Sequence, residues 1–156
     1  MTGFPWIMEV FGIPLIATSK FYKSGKLNHV ASILAELLDN DSDGCVDDPN
    51  VLRNILTKWD GMRRTIILPD DVSVSIPDAS ITAMETKGFV IMQNEGEAET
   101  IPKCSGLKGS GECVDATIEE LLHFVQSQGH SLAYPRVFGT GWNANSNLTR
   151  AMDIAR

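Results

Sequence analysis

Residues 39–48 read Asp39-Asn40-Asp41-Ser42-Asp43-Gly44-Cys45-Val46-Asp47-Asp48. Counted from Asp39, carboxylates stand at positions 1, 3 and 5, and glycine at 6. Calcium takes about six to eight oxygen ligands, and alternating aspartates on a tight turn can converge on one ion. Gly44 permits the sharp bend at positive φ. Cys45 at position 7 needs to offer only its backbone carbonyl, and Asp47 at position 9 can ligate directly or through water. Five aspartates within ten residues repel one another, and a divalent cation relieves that repulsion. The competing reading is a solvated acidic turn in which Asp48 caps a helix.

A second constellation is Glu119-Glu120-Leu121-Leu122-His123. Glu119 and His123 are four residues apart and share a helix face, where they could hold a metal ion, with Glu120 beside them as a general base. Thr117-Ile118-Glu119-Glu120 also fits a capping box, in which Glu120 folds back on the helix start and Glu119 complements the helix dipole. Other candidates are weaker. His29 lies on an apolar helix, where a satisfied core histidine is the usual case. His130 follows a helix end. Ser105, Ser110 and Ser131 lack a nucleophile-elbow context, 106–111 does not fit a phosphate loop, and Cys104 and Cys113 have no second pair at zinc spacing.

The elements that must position these residues follow from periodicity. Residues 7–17 are apolar and partly β-branched, predicting a buried strand interrupted near Gly12 and Pro14. Residues 26–38 carry Leu27, Val30, Ala31, Ile33, Leu34, Leu37 and Leu38 at helical spacing, ending where the acidic loop begins. Asp48-Pro49 predicts a second helix start, with Asp48 as N-cap and Pro49 at the first helical position. Short strands are expected at 65–68 and 72–76 around a turn at 69–71, and another at 88–93. Residues 94–112 read as loop and 115–128 as helix, with Gly129 as its stop. A turn-rich stretch at 133–145 precedes a last helix at 148–156.

Three resemblances follow from these residues. The loop at 39–48 resembles the EF-hand and dockerin type of calcium loop, and also the thrombospondin repeat pattern. It departs at position 12, where Asn50 stands in place of a bidentate Glu, so Asp48 is expected to close the site. Pro49 constrains the exiting helix, which implies a structural site over a sensor that opens a groove. The order of strand, long helix, strands and the 115–128 helix resembles a zincin metallopeptidase core, with Glu119 in place of the first His of HExxH. That resemblance implies zinc held by Glu119, His123 and, as in the gluzincin type, Asp153, with Glu120 as catalytic base. The segments VFGIPLIATS, ILAELLDNDSDG, DATIEELLH and AYPRVFG are similar to a family of uncharacterised secreted proteins, which implies a common fold and no activity.

Composition bounds the rest. At 156 residues with 43% hydrophobic content the chain suits one domain, expected to span 1–156 and to be cut at its C-terminus from a longer parent. A net charge of −7 argues against nucleic acid and suits cations. No apolar run reaches the roughly 18 residues of a membrane span. A Cys104–Cys113 disulfide is expected, leaving Cys45 over; with glycosylation patterns at Asn40 and Asn147 it favours an extracellular, secreted setting. The fold class expected is α+β, a small mixed sheet packed on two or three helices including 26–38 and 115–128. The function read is an extracellular calcium-binding structural or binding domain, its protein or glycan partner open. The alternative is a zinc-dependent, zincin-like hydrolase.

Overall fold

The computed structural model describes residues 3–73, 75–102, 115–140 and 145–155. The expected disulfide falls outside them. Among the described residues four strands form one mixed sheet in the order β1-β2-β3-β4: β1 Trp6–Val10, β2 Ile13–Ala17, β3 Arg63–Leu68 and β4 Phe89–Asn94. The fold is α+β, as expected.

The predicted strand at 7–17 is a hairpin. Val10 and Ile13 flank a two-residue turn in which Phe11 (φ 47°) and Gly12 (φ 84°) are both left-handed, the geometry that suits the twist of the flanking strands. Val10–Ile13 closes the turn, so the alternation of antiparallel pairs makes Glu9–Pro14 one that exchanges no backbone hydrogen bonds. Pro14 also precedes Leu15, the first residue registered with β3. A proline is therefore tolerated inside β2.

From β2 onward the strands run parallel. The first crossover comprises α1 (Ser19–Lys23), α2 (Lys26–Leu38), the acidic loop and α3 (Pro49–Leu56); the second is α4 (Asp78–Thr86). After β4 come α5 (Thr117–Val125), a π turn (Gln126–His130), α6 (Ser131–Ala133), α7 (Pro135–Phe138) and α8 (Asn147–Ile154). Leu15, Ala17, Ile66 and Leu68 face a core shared with Leu27, Val30 and Leu34 of α2, Val51 and Ile55 of α3, and Leu121 and Phe124 of α5. Ile16 and Ile67 point the other way, onto Phe4 and Met84 of α4. The two crossovers thus lie on opposite faces while the strand order advances in one direction, so they are of opposite hand.

Two expectations are corrected here. Residues 72–76 form no strand among those described. β3 already has β2 and β4 on its two sides, and Asp71 Oδ1 holds the amide and hydroxyl of Ser73 in a local turn at 2.8 and 2.7 Å. Gly129 does not stop the helix: α5 runs into the π turn, which runs into α6. The glycine serves close packing, since an added Cβ would lie 2.7 Å from Val51 Cγ1 and 3.1 Å from Ile55 Cδ1. Gly129→Ala is therefore expected to cost about 1–3 kcal/mol by overpacking, read from urea denaturation. A neutral result would mean that α3 moves away freely.

Candidate metal centre

Asp39 closes α2, its own amide bonded to Ala35 O at 2.8 Å, and only 7% of it is exposed. Its carboxylate organises the loop from one end: Oδ1 accepts from the Asp43 amide at 3.1 Å and Oδ2 from the Gly44 amide at 2.9 Å. Asp41 Oδ1 accepts from the Asp43 amide at 3.3 Å, and Asp43 Oδ1 from the Cys45 amide at 2.7 Å. The chain makes these turns because Ser42 and Gly44 sit at φ 58° and 86°. The result brings one carboxylate oxygen each from Asp39, Asp41 and Asp43 within 4.8 Å of one another. Val46 packs against the main core, and the Asp47 amide bonds Leu38 O at 2.9 Å, so both ends of the loop are pinned to α2.

The side chains of Cys45, Asp47 and Asp48 lie outside that converging group. Asp47 Oδ2 accepts from the Asn40 amide at 3.0 Å, and the Cys45 side chain is free and exposed. Asp48 is the N-cap of α3, its Oδ1 accepting from the amides of Asn50 and Val51, while its Oδ2 accepts from the Tyr134 hydroxyl at 2.8 Å. Asp48, expected to close the site, has its oxygens bonded to the α3 amides and to Tyr134. Asn50 is committed to Arg53 and Tyr134. The Tyr134 bond, followed by the two amides, holds the Asp48 carboxyl below its ordinary value. That bond spans 86 positions of sequence, and nothing local announces it.

A lowered carboxyl stabilises the fold above its unfolded-state value, and that contribution is lost as pH falls through the folded value. Asp48→Ala removes the cap and is expected to cost about 0.5–2 kcal/mol at neutral pH. The difference from wild type should shrink in strong acid. Equal loss at every pH would mean that the carboxylate charge is irrelevant.

At the second constellation, His123 Nε2 lies 3.7 Å from Glu119 Oε1, with both side chains well exposed. Asp153 is exposed on α8. Among the described residues these three form no group that converges as the loop aspartates do. The capping box is absent as well, because Ala116 is the N-cap and makes no side-chain bond to α5. Glu120 turns instead to the Gln93 side chain on β4. The Thr117 hydroxyl goes to Glu95 and Asp115. His29 has the partner expected of a core histidine, Asp115 Oδ2 at 2.6 Å. Nothing in the sequence announces the polar cluster around Glu95, because Glu95 lies in a loop whose sequence resembles any solvated acidic stretch.

Three hard anionic oxygens at one point can hold a divalent cation, and the Asp39 bonds to Asp43 and Gly44 shape the loop from within. Compared with known protein families, characterised proteins and solved structures, the chain matches none.

Proposed function

We propose that this is a calcium-binding domain in which residues 39–48 hold the ion as a brace between α2 and α3. The convergence of Asp39, Asp41 and Asp43 carries the reading. Oxygen-only donors suit calcium over zinc, which favours nitrogen and sulfur ligands. The loop joins two helices that both pack on the main core, so an ion there would tie core elements together. Three carboxylates converge here, a low count for a calcium site. Low counts go with weak sites, of about 10⁻⁴–10⁻³ M, such as extracellular modules use. The cysteine and glycosylation patterns of the sequence support placing the domain outside the cell. The described residues include no helix long and apolar enough to cross a membrane.

Calorimetric titration tests the proposal. Calcium should bind once per chain with a dissociation constant near the millimolar range, and Asp43→Ala should weaken binding at least tenfold. Absence of a binding isotherm at millimolar calcium, with the protein folded, would retire the reading. The alternative hydrolase reading predicts stoichiometric zinc lost on His123→Ala.

A further inference from the structure

Among the described residues the most deeply buried carboxyl lies away from the acidic loop, where the end of β4 meets the start of α5. Glu95 is 0% exposed. Its Oε1 lies 2.8 Å from the Thr100 hydroxyl and 2.5 Å from the Thr117 hydroxyl, both on fully buried residues. Its Oε2 has no hydrogen-bond partner among the described residues. Beyond Thr117 stands Asp115. Its Oδ1 accepts from the Thr117 hydroxyl at 2.7 Å and from the amides of Ile101 and Thr117 at 3.0 and 3.3 Å, and its Oδ2 lies 2.6 Å from His29 Nε2.

Counting protons decides the state of this cluster. Each threonine hydroxyl has one proton to donate. Thr117 faces an acceptor on both sides, Glu95 and Asp115, and Thr100 faces Glu95 and the Gly96 carbonyl at 3.0 Å. Two hydroxyl protons cannot make four hydrogen bonds. Asp115 is surrounded by donors and is the natural place for the negative charge. A proton on Glu95 Oε1 then donates to Thr117, whose own proton goes to Asp115. Glu95 Oε2 becomes a carbonyl oxygen, which burial without a partner penalises far less than it does a carboxylate oxygen.

We infer that Glu95 is held as a neutral acid in the folded protein and works as a proton-dependent latch, fastening residues 95–102 to the start of α5 and, through Asp115, to His29 on α2. The charges facing it agree. Asp115, just before α5, and Glu120 on α5 are both negative and oppose its ionisation. His29 on α2 faces Asp115 instead. The nearby lysines, Lys20 on α1 and Lys26 on α2, are taken up by Glu97 at 3.0 and 2.8 Å. Burial pushes the Glu95 carboxyl upward, and the two hydroxyls offset only part of that. For Asp115 burial also opposes ionisation, but Thr117, Ile101 and His29 together outweigh it and hold the carboxyl below its ordinary value. The stability that a raised carboxyl contributes is fully present below its unfolded-state value, and is lost as pH rises through the folded value.

Carboxyl-carbon NMR on glutamate-labelled protein, at constant calcium, tests the latch. One glutamate should titrate clearly above the ordinary glutamate range. The amides of Thr100, Ile101 and Thr117 should shift with the same midpoint, and Glu95→Gln should remove the titration. The melting temperature of wild type should fall relative to Glu95→Gln above that midpoint. If Glu95→Gln fails to fold, the wild-type titration alone decides. Glutamates that all titrate near the ordinary value, or loop amides that ignore the midpoint, would overturn the inference.

Discussion

Stripping calcium from the protein should lower its melting temperature by about 5–10 °C relative to a solution at a hundredfold excess over the dissociation constant. A ligand that binds only the folded chain stabilises it by about 2.7 kcal/mol at that excess. Each kcal/mol is worth roughly 2–4 °C in a domain of this size. Asp39→Ala should abolish the calcium-dependent part and also lower stability without calcium, because Asp43 and Gly44 lose the acceptor of their amides. Asp43→Ala should abolish the calcium-dependent part with a smaller effect on the ion-free protein, since its carboxylate holds only the exposed Cys45 amide. Asn40→Ala should leave the shift nearly intact, for its side chain is exposed and outside the converging group. Identical melting with calcium and after thorough chelation would show that the three carboxylates face water alone.

The second large effect separates packing from metal chemistry on one helix. Phe124 is fully buried in the main core, whereas its neighbour His123 projects into solvent. Phe124→Ala should cost about 3–5 kcal/mol, combining lost transfer energy with the cavity left behind. In melting temperature that is roughly 6–20 °C. His123→Ala should stay within about 0.5 kcal/mol, as surface substitutions do. Both should be measured with and without zinc. If zinc raises the melting temperature of wild type and His123→Ala removes that rise, α5 carries a second metal site after all. If zinc changes neither, α5 serves to cover the sheet and to present Thr117 to the Glu95 cluster.

Most helices and strands were legible because their signals are local. The helix at Lys26–Leu38 follows from apolar spacing, and the start of α3 from Asp48 followed by Pro49. α4 was missed. It buries only Ser80 and Met84, so its apolar stripe is too narrow to stand out. The two halves of the Trp6–Ala17 hairpin read as one interrupted strand, because Phe11 is an unusual residue for a left-handed turn and masks the break.

The candidate metal centre divides in the same way. Alternating aspartates before a glycine dictate that Asp39, Asp41 and Asp43 can converge, since all three sit on one short turn whose geometry depends on neighbours alone. Whether Asp48 joins them does not depend on neighbours. The Asp48 carboxylate accepts from Tyr134, which arrives from beyond α5. The role of Gly129 is likewise set by Val51 and Ile55, against which the π turn comes to rest. Glu95 is the extreme case. In the sequence it is one acidic residue in an acidic loop. Its burial, its single-file contacts with Thr117 and Asp115, and hence its proton exist only once β4, α5 and α2 have packed and excluded water. Spacing along the chain specifies turns, caps and helix faces. Dielectric environment and partners distant in sequence are properties of the packed molecule.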